Sequence, residues 1–117
     1  MVRTNKDRFF LVSLLMLISA SLSAKTKEYY LTLQNHVFVP SEIVIPANTK
    51  VKLVIVNKDD TMEEFDSFDL NREKVLFPGK KGHIFIGPLP AGRYEYFGEY
   101  FPNTARGTIV VEANHVD

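Results

Sequence analysis

The chain has 117 residues, of which 14 are basic and 14 acidic, so its formal net charge is 0, and it contains no cysteine. A balanced net charge offers no overall electrostatic footprint for nucleic acid, whose binding needs a clustered basic surface, so we expect no nucleic-acid partner. Without cysteine the chain has no disulfide and no thiolate ligand for a metal ion, and a single small domain must be held together by packing alone.

The first 24 residues have the order of a secretory signal peptide. Basic residues precede an apolar run from Phe9 to Leu22, and small residues follow it up to Ala24. The run is shorter than the roughly 20 residues that cross a bilayer, so we expect cleavage, with retention as a membrane anchor left as the alternative. Residues 1–24 are therefore predicted to be a signal peptide and residues 25–117 a periplasmic or secreted domain, with its core over 28–112 and no membrane span after cleavage.

From Tyr29 onward, apolar residues recur at every second position, which predicts β-strands rather than helices. After the first strand, further strands are predicted over 42–46, 50–57, 65–70, 83–89, 90–98 and 106–112. The segment 58–64 is predicted to be a loop, and the polar stretch 71–82 carries the turn signal Pro78-Gly79. Six or seven short strands separated by turns predict an all-β sandwich, and a barrel stays open as the alternative.

Four strings of residues resemble the cupredoxin superfamily. They are F-x-P-x-x-I-x-I-P-A from Phe38, V-x-L-x-x-x-N from Val51, E-E-F-D-S-x-D-L-N-R-E-K from Glu63, and G-P-L-x-x-G-x-Y-x-Y-F-G from Gly87. More narrowly, the chain resembles the EfeO-type cupredoxin-like proteins, small periplasmic proteins associated with bacterial iron uptake. The resemblance covers residues 28–112 and implies one Greek-key β-sandwich.

The superfamily holds type 1 copper with two histidines, a cysteine and a methionine. The resemblance places these four positions near Glu64, at or beside Gly98, at Phe101 and near Arg106. None of them supplies the thiolate that a trigonal electron-transfer site requires. We therefore expect no type 1 copper and no blue-copper electron transfer.

Carboxylates are concentrated between Asp59 and Asp66, where five lie within eight residues. Like charges this close repel unless a cation or a basic residue lies among them. Strand alternation places Glu64 and Asp66 on one face, and the resemblance to EfeO-type domains places carboxylate ligands at these same two positions. The alternative is a solvated loop whose carboxylates pair with basic residues, namely Arg72, Lys74, Lys80 and Lys81.

Two further residues are candidate ligands. Glu99 follows the strand that ends at Gly98, and the resemblance puts that loop at the same end of the sandwich. His36 precedes Phe38, a position that holds a cysteine in EfeO-type domains, and it is a candidate nitrogen donor. We predict a metal site formed by Glu64, Asp66, Glu99 and His36, with iron as the expected ion and manganese or copper as alternatives.

The resemblance and the carboxylates together suggest an exported accessory protein. It would bind or present iron to a membrane iron permease or to another periplasmic iron-uptake protein. The alternative is a metal-free interaction module in which Tyr100, Phe101 and Arg72 contact a protein partner. The chain has no serine-histidine-acid order, no HExxH and no glycine-rich phosphate loop, so we expect no catalytic residues, no bound organic cofactor and no enzyme activity.

Overall fold

The structure is a computed structural model that describes residues 25–114. The predicted signal peptide and the last three residues lie outside this range. Within it the chain forms β-strands and no helix: β1 (Glu28–Gln34), β2 (Val37–Val39), β3 (Glu42–Pro46), β4 (Val51–Asn57), β5 (Glu63–Ser67), β6 (Arg72–Leu76), β7 (Lys81–Ile86), β8 (Gly92–Gly98) and β9 (Arg106–Glu112). Over the same residues, therefore, no helix could cross a membrane.

The strands form two sheets. The four-stranded sheet has the order β2-β1-β4-β7, and the five-stranded sheet has the order β3-β9-β8-β5-β6. The pairs β1 with β4 and β3 with β9 are parallel, and the other pairs are antiparallel. The predicted all-β sandwich is confirmed, and the barrel alternative is not adopted.

The hairpin of β5 and β6 differs from the sequence prediction. β5 already begins at Glu63, inside the predicted loop, and β6 occupies part of the polar stretch that was assigned only a turn. β6 is an edge strand with only Leu76 buried, so it shows no apolar alternation that a sequence pattern could detect. β2 was missed as well, because an edge strand of three residues is too short to show an alternation.

Three aromatic rings form one part of the core between the sheets, which otherwise consists mainly of leucine, isoleucine and valine side chains. Phe38, Phe65 and Tyr96 are buried and lie against one another, with the Tyr96 ring centroid 5.3 Å from that of Phe38 and 4.9 Å from that of Phe65. Burial raises the pKa of Tyr96, so its hydroxyl stays protonated. This aromatic core lies beneath one end of the sandwich, which we call the pole. The pole is formed by the β1–β2 turn, the β4–β5 loop and the β8–β9 loop.

Candidate functional site

Glu63 is a buried carboxylate at the pole, with only 1% of its surface exposed. Its Oε1 accepts backbone N–H bonds from Glu64 at 2.8 Å and from Tyr100 at 2.9 Å, and its Oε2 accepts one from Phe101 at 3.2 Å. Hydrogen bonds to a charged acceptor are stronger than those between neutral groups, and they compensate the burial of the charge. Glu63 therefore ties the β8–β9 loop to the start of β5.

Gly98 leaves open the space that the Glu63 carboxylate fills. A Cβ atom on Gly98 would lie 2.6 Å from Cδ of Glu63 and 2.8 Å from Cβ of Ala105, closer than real side chains come. The resemblance places the copper-binding cysteine of type 1 sites at or beside this position. Protein atoms therefore fill the space beside Gly98, and two hydrogen bonds from the β8–β9 loop reach Glu63 there.

His36 lies at the pole, where it packs against the β8–β9 loop. Its ring is stacked on that of Phe101, with centroids 3.6 Å apart and planes inclined by 15°. Its Nδ1 lies 3.6 Å from the Asp59 carboxylate, which also accepts the backbone N–H groups of Asn35 and His36 at 2.7 and 3.0 Å. Both residues have positive φ angles, 53° and 59°, so Asp59 holds a left-handed turn in place.

We call Glu64, Asp66, Glu73 and Glu99 the acidic cluster. The alternation of β5 turns Glu64 and Asp66 to the outer face of the five-stranded sheet, and the register places Asp66 directly opposite Glu73 on β6. One carboxylate oxygen from each of Glu64, Asp66 and Glu73 lies within 4.8 Å of the other two. Glu99 lies beside this group of three rather than within it. Its backbone N–H donates to the carbonyl oxygen of Glu64 at 2.9 Å, and its carboxyl is within hydrogen-bonding reach of Asp66.

The acidic cluster has an unbalanced negative charge. Only 7% of Asp66 is exposed, and the hydrogen-bonding partner of its carboxyl is another carboxyl, that of Glu99. This hydrogen bond with Asp66, then partial desolvation, and then repulsion from neighbouring carboxylates raise the pKa of Glu99. The ion pairs found in the described part of the chain join other residues, namely Lys52 with Glu28 and Arg93 with Glu42. A proton or a bound cation would relieve the repulsion.

The structure brings together three of the four predicted metal ligands, Glu64, Asp66 and Glu99. It does not bring His36 to them, because that ring is taken up by Phe101 and Asp59 at the pole. Sequence reasoning missed Glu73, whose position depends on pairing between β5 and β6. The sequence shows a polar stretch after Ser67 that contains Glu73. This residue can be recognised as a neighbour of Asp66 only once β6 is assigned as a strand that pairs with β5.

The predicted interaction residues do not form one surface. Tyr100 is 49% exposed at the pole, beside the stacked Phe101. Arg72 lies at the other end of the β5–β6 hairpin, where its Nε donates to the carbonyl oxygen of Phe85 on β7 at 3.0 Å. The alternative in which Arg72 neutralises the carboxylates is therefore not what the structure shows, because this side chain bridges the edges of the two sheets.

A sandwich of two sheets with β1 parallel to β4 and β3 parallel to β9 has the architecture of a cupredoxin-like domain. The chain matches the family model of the Cupredoxin-like domain over residues 8–111, and it belongs to this family. It is also 45% identical over 84 residues to an uncharacterized protein of Rickettsia prowazekii (strain Madrid E), a match that covers 72% of this chain and 67% of that protein.

Solved structures show the same fold. The chain is similar to a copper-binding protein solved in its apo form by NMR, with a TM-score of 0.67, 19% identity and coverage of 79% of this chain and 93% of that one. It is similar to the metal-binding domain of the Cu(I)-exporting P-type ATPase of Streptococcus pneumoniae, with a TM-score of 0.67, 13% identity and coverage of 79% and 91%. At these identities the likeness shows the fold alone, and this chain lacks the cysteine of a type 1 site.

Proposed function

We propose that this chain is an exported accessory protein of the EfeO type that binds iron at the acidic cluster and presents it to a membrane iron-uptake system. The observation that carries the proposal is the nearly buried Asp66 carboxylate, whose neighbours Glu64, Glu73 and Glu99 are also carboxylates. Such an arrangement costs electrostatic energy as long as no cation is bound, and a bound cation reverses the sign of that contribution.

The donor set determines the class of ion. Carboxylate oxygens suit hard or borderline ions such as iron and manganese, whereas the soft ion Cu(I) prefers thiolates and thioethers. The cluster holds oxygen donors from two neighbouring strands, β5 and β6, and from the loop that begins at Glu99. Because the cluster lies on the outer face of a sheet, a cargo ion could enter and leave without unfolding any element.

The placement of the cluster also supports the narrower family assignment. The string that most strongly resembles EfeO-type proteins runs from Glu63 to Lys74, and it contains Glu64, Asp66 and Glu73. The same string supplies Glu63, which fills the pole. Residues of one short hairpin would therefore both occupy the position of a type 1 copper site and build an oxygen-donor site on the outer face.

Isothermal titration calorimetry tests the proposal. Ferrous iron under anaerobic conditions, chelated ferric iron and manganese are titrated into the purified protein, with cupric ion for comparison. We expect heat of binding for iron or manganese, and Asp66→Asn should lower that affinity by at least about tenfold, as removal of groups at metal sites commonly does. Glu95→Gln is the matched control, since Glu95 is an exposed carboxylate on the same sheet but outside the cluster. Binding that is absent for all ions, or equal in both variants, would refute the proposal.

A metal-free interaction module is the second candidate function. It is favoured by the closure of the pole by Glu63 and by the exposure of Tyr100, which leaves an aromatic ring available to a protein partner. This candidate predicts partner capture that is insensitive to chelators and is reduced by Tyr100→Ser. Iron transfer predicts the opposite result, which is capture that a chelator abolishes.

A further inference from the structure

The outer face of the four-stranded sheet carries exposed apolar side chains. Strand alternation turns Tyr30, Val39 and Phe85 outward, and they are 57%, 56% and 40% exposed. The outer face of a sheet that covers a core is usually polar, so this amount of apolar surface is unusual. The register from β2 through β1 and β4 to β7 makes these positions parts of one continuous surface.

Lysines border the same surface, which we call the lysine face. Its lysines are Lys25, Lys50, Lys52 and Lys81. The carboxylate that the register places among them is Glu28, whose Oε1 lies 3.3 Å from Nζ of Lys52. Four lysines against one glutamate give the face a formal charge of +3. Nζ of Lys50 lies 4.5 Å from the Phe85 ring centroid, so cationic and aromatic groups alternate there.

The opposite face of the sandwich has the opposite charge. The outer side of the five-stranded sheet carries the acidic cluster together with Glu42 and Glu95, and its cations are Arg93 and Arg106. The two outer faces of the sandwich therefore carry formal charges of opposite sign. Each face therefore favours a different kind of partner.

We propose that the lysine face docks on an anionic phospholipid surface. Its cations are lysines, whose flexible stems let the charged ends reach headgroups at variable positions, whereas a fixed protein partner is better matched by the rigid fork of arginine. Exposed tyrosine and phenylalanine side chains suit the boundary between headgroups and acyl chains. Tyr30 and Phe85 supply these rings next to the lysines.

The path of the chain supports the same partner. Lys25 and Thr26 line a surface depression together with Lys52 and Phe85, so the chain enters the domain on the lysine face. The residues before Lys25 include the apolar run from Phe9 to Leu22, and the inference rests here on the proposed export, in which this run would lead the chain from the bilayer to the lysine face. Docking there leaves the acidic cluster open to solvent on the other sheet, and the inference does not depend on the proposed iron site.

Vesicle sedimentation tests this inference. The protein, purified in its exported form and checked by mass spectrometry for removal of residues 1–24, is mixed with vesicles of phosphatidylcholine alone or with added phosphatidylglycerol. We expect binding only when phosphatidylglycerol is present, with a loss at high salt. Each lysine near an anionic surface contributes about fivefold to binding, so the double variant Lys50→Gln, Lys81→Gln should bind roughly 25-fold more weakly. Arg93→Gln, Arg106→Gln removes the same charge from the other face and should bind normally.

A second pair of variants tests the apolar contact. Tyr30→Ser, Phe85→Ser should weaken vesicle binding, whereas Phe68→Ser should not, although Phe68 is 81% exposed on the acidic side. Thermal melting establishes that every variant is folded. Equal binding to neutral and anionic vesicles would overturn the proposal. So would equal binding of the two double charge variants, or a salt-sensitive self-association that consumes the lysine face in the absence of lipid.

Discussion

Replacing Glu63 should destabilise the fold far more than replacing the neighbouring carboxylate Glu64. The side chain accepts three backbone hydrogen bonds, and each bond to a charged group contributes about 1.5–3 kcal/mol. Water can reach part of the β8–β9 loop and recover some of this energy. We therefore expect Glu63→Ala to lower the free energy of unfolding by about 3–5 kcal/mol, a large part of the roughly 5–15 kcal/mol that a domain of this kind has.

Urea unfolding followed by far-UV circular dichroism measures this change, and hydrogen exchange of the Tyr100 and Phe101 amides locates it. Glu63→Gln should lie between wild type and Glu63→Ala, because the amide oxygen still accepts hydrogen bonds but its NH₂ group faces a donor. Glu64→Ala is the matched control, since the next side chain points to the outer face and its loss removes repulsion. A change below about 1 kcal/mol in Glu63→Ala, with unaltered amide exchange, would refute this view of the pole.

Three other outcomes follow from the same geometry. Gly98→Ala should destabilise the protein by about 2–4 kcal/mol. The double variant Gly98→Ala, Glu63→Ala should lose less stability than the sum of the two single changes, because the new Cβ then enters the space that Glu63 vacates. Urea unfolding of the double-mutant cycle checks this. The raised pKa of Glu99 means that the folded chain holds the proton of this carboxyl more tightly than the unfolded chain does. The bound proton therefore stabilises the fold at low pH, and this contribution is lost as pH rises through the pKa of the folded state. Glu99→Gln should therefore melt at a higher temperature than wild type at neutral pH, and the gain should vanish below the ordinary value of 4.5; a gain that does not vary with pH would contradict this. Tyr96→Phe should change stability by less than about 1 kcal/mol in thermal melting, since its buried hydroxyl has no hydrogen-bond partner among the described residues.

The sequence predicted the parts of this protein that depend on strand period. Alternation along β5 was enough to put Glu64 and Asp66 on one face, because the side-chain period of a strand is independent of its neighbours. The register of an edge strand without apolar alternation has no such local signal, so Glu73 was missed. The role of Glu63 could not be predicted either, because it depends on backbone N–H groups that lie 37 and 38 residues away in the chain.

His36 shows a different limit of sequence reasoning. Its proximity in sequence to Phe38 suggested a ligand, but the left-handed turn at Asn35 and His36 directs the ring toward Phe101. The position of that ring depends on the hydrogen bonds to Asp59, 23 residues away, and this contact has no motif. The family resemblance supplied the correct fold, while the side-chain contacts at the pole required the structure.

The location of the bound cation tests the central claim most directly. Substoichiometric manganese, added to the isotopically labelled protein, broadens the amide signals nearest to the ion in NMR spectra. The acidic cluster predicts that Asp66, Glu73 and Glu99 lose intensity first, and that Asp66→Asn abolishes this selectivity. Strongest broadening at His36, or uniform weak broadening along the chain, would show that no cation site exists at the cluster.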